Sequence, residues 1–126
     1  MAKQYFNPDT ISTPPNGVYS HVVKDGNTIY VAGQLGQDKD SNPVGGSDAG
    51  AQYLQAWANI DAALASVGAT VNDLVKTTTY VVGIENLTAV RAAREKVAPA
   101  KPPTSTMVVV AALARPWALV EVEAIA

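Results

Sequence analysis

Two carboxylates one residue apart, Glu121 and Glu123, are the first side chains that suggest chemistry. They lie in Leu119-Val120-Glu121-Val122-Glu123-Ala124-Ile125, where polar and apolar residues alternate. In a strand that spacing sends both carboxylates to one face and Val120, Val122 and Ala124 to the other. A carboxylate on a partly buried sheet face has its pKa raised by desolvation. It can then orient a water or take its proton. Either glutamate is a candidate base, and either serves equally well in an interfacial ion pair.

Other side chains fit supporting roles. Tyr19 carries an apolar ring with one hydroxyl, suited to lining a cleft or a rim. Thr104, Ser105 and Thr106 put hydroxyls beside backbone N–H groups, where they can hold a polar substrate group or cap a strand edge. Ser105 as a nucleophile needs a base beside it, and nothing in the sequence brings the single histidine, His21, there. Arg91 and Arg94 stand three apart, on one face of a helix. Such a face is usually solvated. The functional alternative is that Arg91 grips a carboxylate bidentately from a neighbouring subunit. Arg115, in a turn before Trp117, reads as structural. One histidine and no cysteine exclude a zinc site. Asp38-Lys39-Asp40-Ser41-Asn42 begins like a calcium loop, but Pro43 and Ala49 stand at its glycine and glutamate positions. No phosphate-binding glycine–lysine loop and no dinucleotide fingerprint are present.

Residues 1–126 suit a single domain with one core. With 48% hydrophobic and 16% charged residues the chain is globular. Net charge is −2 and the nine Lys and Arg are scattered, so nucleic acid is not the expected partner. The opening MAKQYFNPD lacks the apolar core of a signal peptide, and no apolar run reaches the ~20 residues that span a bilayer. The cytoplasm is the expected address, with no membrane partner.

These residues need elements to position them. Thr13-Pro14-Pro15-Asn16-Gly17 reads as a loop and Val18–Lys24 as a strand. Asp25-Gly26-Asn27 turns the chain into a second strand, Thr28–Gln34. Residues 36–48 read as a loop. Leu54, Trp57, Ile60 or Asp61, Leu64 and Val67 recur at helical spacing, with Ile60 on the seam and Gly68 as the stop. Leu74–Val82 is a strand, and Asn86 is placed to cap a helix carrying Leu87, Val90 and Val97. Pro99, Pro102 and Pro103 end it. Thr104–Leu113 is a strand apolar at both parities around Met107–Ala112, expected to be buried on both faces. Ala118–Ala126 is the last strand. The order is β-β-α-β-α-β-β, an α/β (α+β) arrangement with two helices on one face. The other face, mixing carboxylates and apolar residues, implies self-association.

Several stretches together resemble one family. They are Gly17-Val18-Tyr19-Ser20, Val31-Ala32-Gly33-Gln34-Leu35, Asn59-Ile60, Val71-Asn72-Asp73-Leu74-Val75-Lys76-Thr77-Thr78, Pro103-Thr104-Ser105-Thr106 and Val120-Glu121-Val122-Glu123-Ala124-Ile125-Ala126. They resemble the RidA/YjgF family of enamine and imine deaminases, once labelled L-PSP endoribonucleases. The resemblance implies a chorismate-mutase-like fold, a homotrimer with clefts between subunits, and hydrolysis of a small reactive imine to a carbonyl compound and ammonia. It implies no cofactor and no metal. It makes Glu121 the residue that holds the attacking water, and Tyr19 and Gly33 parts of the pocket. The family's carboxylate-gripping arginine falls on Ser105, and a second-helix position, often asparagine, falls on Arg91. The departure at Ser105 bears on the substrate, because a carboxylate grip selects small imino acids. The same clefts without turnover, as a metabolite-binding or regulatory trimer, are the alternative; endoribonuclease activity is a more distant one.

Overall fold

Hydrophobic spacing decides the longest element. Helix α1 runs from Ala49 to Ala65 in the computed structural model, which describes residues 2–126. Asp48 caps it by accepting a hydrogen bond from the Ala51 N–H at 3.2 Å, which satisfies a donor that the first turn leaves free. The buried stripe holds Tyr53, Ala56, Trp57, Ile60, Ala63 and Leu64. Ile60 takes the seam and Asp61 the exposed side, as expected. Gly68, at φ +75°, lets the chain leave the helix. Helix α2, Leu87–Val97, buries Val90 and Ala93. Asn86 does not cap it through its side chain; its Nδ2 donates instead to the Val82 carbonyl at 2.8 Å.

The helices cover one face of a six-stranded sheet. Its strands are β1 (Gln4–Phe6), β2 (Val22–Asp25), β3 (Thr28–Leu35), β4 (Lys76–Val82), β5 (Thr104–Val110) and β6 (Val120–Ile125), in spatial order β1-β2-β3-β6-β4-β5. Only β4 and β5 pair in parallel, with α2 between them in sequence. β6 lies between β3 and β4, so the carboxylate strand is central. Val120, Val122 and Ala124 meet the helices with Val81 and Thr79, while Glu121 and Glu123 leave the opposite face.

Three expectations need correction. A sixth strand, β1, precedes the first predicted one; three residues without a periodic apolar pattern give no sequence signal, and they join the sheet by pairing with β2. The predicted strand Val18–Lys24 starts only at Val22. Asn16 and Gly17 both take positive φ in a 3-10 turn, and the chain passes Val18, 74% exposed, before it reaches the sheet. Thr104–Leu113 is shorter, ending at Val110, and is not buried on both faces. It is the sheet edge, paired only with β4, and Val108 and Val109 are 39% and 45% exposed in the single chain.

Two buried amides tie α1 to the loops at one end of the sheet. Gln52 donates from Nε2 to the Gly46 and Trp117 carbonyls at 2.8 and 3.2 Å, and its Oε1 accepts from the Leu119 N–H at 2.8 Å. Asn59 donates to the Leu35 and Gln37 carbonyls at 3.1 and 2.9 Å and accepts from Gln55 at 2.9 Å. Gly36 lets the backbones close up, since a Cβ there would stand 2.8 Å from Gln52 Cα. Gln52→Leu keeps the volume but strands three backbone groups. Each buried unsatisfied group costs ~1–3 kcal/mol, so urea denaturation should show a loss of about 2–4 kcal/mol. A loss below about 0.5 kcal/mol would show that water replaces this clasp without cost.

Candidate active site

Glu121 sits on the central strand with Leu35 of β3 and Tyr80 of β4 as its register partners. The β3–β6 ladder is irregular beside it. Val31 pairs with Ala124 and Gln34 with Val122, so three steps along β3 match two along β6. The extra residue falls at Ala32–Gly33, a β-bulge. A Cβ on Gly33 would overlap the Glu121 Oε1 and stand 2.8 Å from its Cδ. Gly33 does not take a positive φ, so its backbone does not demand glycine. The demand is for space: the missing side chain is where the carboxylate lies.

Behind this pair is a cleft of about 490 Å³, lined by Tyr19, His21, Gly33, Gln37, Arg115 and Glu121 among others. Tyr19, 45% exposed, sets its ring edge-on to His21 with centroids 5.6 Å apart. His21 is buried and both ring nitrogens are engaged. Nε2 pairs with the Ser12 carbonyl, and Nδ1 with Gln34 Nε2 at 3.0 Å. The carbonyl can only accept and the amide N–H only donate, which places the ring proton on Nε2. Burial lowers the His21 pKa from 6.5, partly offset by the Ser12 hydrogen bond, so the ring is neutral at pH 7. Gln37 Nε2 donates to Ser12 Oγ at 3.1 Å, linking this wall to the loop that Asn59 holds.

Burial, and then the like charge of Glu123, raise the Glu121 pKa above its ordinary 4.5. Glu123 is more exposed and accepts a hydrogen bond from Tyr80 Oη at 2.8 Å; that bond is the main reason the Tyr80 pKa is raised. The two glutamates therefore differ in environment: one half-buried against glycine, the other tied to a tyrosine at the surface.

The structure brings Glu121, Tyr19 and Gly33 into one cleft. Tyr19 reaches it from the segment before β2, not from within a strand. Thr104 and Thr106 pair with Lys76 and Thr78, on the same open face as Glu123 but at the sheet edge. Ser105 points the other way. It pairs with the buried Thr77 and accepts a hydrogen bond from Arg94 Nη1 at 3.2 Å, on the helix side. Arg91 is exposed on α2, also on the helix side. Within one chain neither residue shares the Glu121 cleft. Sequence reasoning did not place His21, Gln34 or Gln37 in the site, and it assigned Arg115 to the turn alone. Among the described residues no three His, Asp or Glu side chains gather as a metal site, and no helix is long and apolar enough to cross a membrane.

The model of the Endoribonuclease L-PSP family matches residues 10–126. The chain belongs to this family, the RidA/YjgF proteins. A RutC family protein of Pyrococcus abyssi is 41% identical over 66 residues, and the match spans about half of each chain, 52%. A RutC family protein of Saccharolobus solfataricus is 33% identical over 112 residues, 89% of this chain and 88% of that one. A 2-iminobutanoate/2-iminopropanoate deaminase of Dermatophagoides farinae is 32% identical over 84 residues, covering 64% of this chain and 66% of the relative. RidA from Psychrobacter sp. PAMC 21119 superposes with a TM-score of 0.88 at 31% identity, covering 97% of both chains. A Yersinia pestis protein of the conserved Rid family gives 0.91 at 31% identity, covering 99% and 98%. The mixed α+β fold, one sheet with two helices on one face, is that of the RidA/YjgF family.

The raised Glu121 pKa has a consequence for stability. The folded chain binds this proton more tightly than the unfolded chain does. The group therefore favours folding below pH 4.5, and that contribution is lost as pH rises through the folded-state value. Glu121→Gln should accordingly be more stable than the parent at neutral pH, with the gap closing well below pH 4.5. Denaturation midpoints that match at neutral pH, or a less stable variant there, would contradict the assigned environment.

Proposed function

We propose that the chain is a hydrolytic deaminase of a small imine or enamine. One observation carries this reading: a half-buried carboxylate with a raised pKa, lodged in the space left by Gly33 and facing a cleft lined by Tyr19. Water held by Glu121 attacks the iminium carbon as the carboxylate takes a proton. The carbinolamine nitrogen takes that proton back, the C–N bond breaks to release ammonia, and the carboxylate accepts the hydroxyl proton as the C=O bond forms. Membership of a family that includes a 2-iminobutanoate/2-iminopropanoate deaminase supports the reaction class. RNA cleavage fits less well. The one histidine is neutral, buried and hydrogen-bonded at both nitrogens, and the net charge is −2.

The proposed assembly is a homotrimer, with the uncovered sheet face turned toward neighbouring copies. Tyr30 and Val108 are exposed on the uncovered face of a single chain, in register with Ile125 of β6 and Tyr80 of β4, apolar surface that a second copy would cover. Light scattering should give three times 13.1 kDa at micromolar concentration. A monomer refutes the assembly.

The reaction is tested by ammonia release from imines generated in situ by an amino acid oxidase or a dehydratase. Glu121→Gln should slow release by ~10²–10⁴-fold, the usual cost of a positioned general base, while the assembly persists. Unchanged turnover by the variant ends the mechanism. Ligand binding by a wild-type protein that turns over no imine would favour the non-catalytic alternative.

A further inference from the structure

We propose that His21 and Gln34 are a positioning pair: they aim the Ala32–Gly33 peptide in the Glu121 cleft, and protonation of His21 releases it. This rests on the reading of that cleft as the reaction site, and it adds the residues that hold its backbone and a condition that loosens them. Both side chains are 2% exposed. The Gln34 amide nitrogen carries two N–H donors and has a partner for each. Nε2 meets His21 Nδ1 at 3.0 Å and the Ala32 carbonyl at 3.1 Å. The Ala32 N–H in turn donates to the His21 carbonyl at 2.8 Å, and the His21 N–H donates to Asn7 Oδ1 at 2.9 Å. Ala32 is thus tied to His21 at both ends, once directly and once through Gln34. Its carbonyl and the Gly33 N–H belong to one trans peptide, so fixing the carbonyl aims the N–H to the opposite side. Ladder pairing with β6 does not fix this peptide, because the register shifts between Val31 and Gln34. Gly33 is also where the Glu121 carboxylate lies, so a turn of the peptide moves the wall behind the carboxylate.

The arrangement needs a neutral ring. Nδ1 accepts only while the ring proton sits on Nε2, against the Ser12 carbonyl. A second proton makes Nδ1 a donor that faces a donor. Turning the amide over offers Oε1 to the ring but sets Oε1 against the Ala32 carbonyl, acceptor to acceptor. Relief at one end therefore breaks the tether at the other, and an unmade buried bond is costly. The titratable or charged side chains that share the cleft with His21 are Tyr19 from the segment before β2, Arg115 from the turn before β6 and Glu121 from β6. The end of β3 and the residues after it present the neutral Gln34 and Gln37. Glu121 is the one of these that also gains a proton on acidification, so the test must hold it silent.

The test is an NMR pH titration of Glu121→Gln, in which that carboxylate is gone. Ring-nitrogen signals report His21, and amide signals report Gly33 and the Gln34 side chain. As pH falls, the Gly33 amide should shift with the same midpoint as His21, below 6.5. Adding His21→Gln, which offers an acceptor and a donor without a charge change, should leave the Gly33 amide in place throughout. Adding His21→Leu should displace it already at neutral pH. In ammonia-release assays with Glu121 intact, His21→Leu should lower kcat by about 10- to 100-fold with little change in KM, as a small misplacement of the site does, and His21→Gln should keep most of it. A Gly33 amide that stays put while His21 titrates, a ring that stays neutral until the chain unfolds, or equal kcat in His21→Leu and wild type overturns the proposal. If the Gly33 amide follows His21 yet wild type releases ammonia from no imine, the positioning pair stands and the hydrolytic reading fails.

Discussion

The carboxylate of Glu121 occupies the space that any side chain at position 33 would fill, and the rest of the site follows from this contact. It exists because β6 runs between β3 and β4 and because β3 bulges at Ala32–Gly33. In an unbulged ladder the period of two would continue unbroken along β3. The extra residue breaks that alternation beside Glu121 and leaves a glycine against its carboxylate. Gly33 is thus a spatial requirement and not a conformational one, since its φ is not positive. Burial, and then the like charge of Glu123, raise the Glu121 pKa, which makes the carboxylate a better proton acceptor than a solvated one.

Buried amides and a neutral histidine hold this arrangement in place. Gln52 and Asn59 lie on α1, behind the sheet, and bond to backbone groups of the loops that border the cleft. Gln37 carries the connection to Ser12, and Ser12 to His21, against which Tyr19 rests. Among the described residues no buried side-chain nitrogen or oxygen lacks a partner, so the network is fully satisfied. A satisfied polar network restricts the loops to one geometry more strictly than apolar packing does. The cleft is thereby built on fixed strands and clamped loops, as a site that orients a water requires.

Much of this was legible in the sequence where periodicity carries the information. The alternation in β6 put Val120 and Val122 inward and Glu121 and Glu123 outward, and the 3.6-residue repeat placed Ile60 on the seam of α1. The signal failed where backbone geometry decides. The three-residue β1 has no pattern to read, the turn at Asn16–Gly17 moves Tyr19 out of the strand, and β5 is an edge although its composition is that of a core strand. Gln52 and Asn59 become clasps only through the tertiary fold, which brings distant loop backbone to their side chains. Ser105 and Arg91, candidates by their place in the family pattern, lie on the helix side of the sheet within one chain, whereas Arg115, read as part of a turn, lines the cleft. The family resemblance covered the distance that pattern reading could not, by pairing Gly33 with Glu121 across nearly ninety residues.

The central claim is that the gap at Gly33 is what holds Glu121 in place for the proposed hydrolysis, and a double-mutant cycle on the two positions tests it most directly. Alanine suits the backbone at 33, and the clash falls on the end of a flexible side chain, so Gly33→Ala should fold with its carboxylate displaced. The rate of ammonia release should then fall by ~10²–10⁴-fold in Gly33→Ala, and Gly33→Ala combined with Glu121→Gln should be no slower than Glu121→Gln alone. Wild-type rates in Gly33→Ala, or losses that multiply in the double variant, would contradict the account.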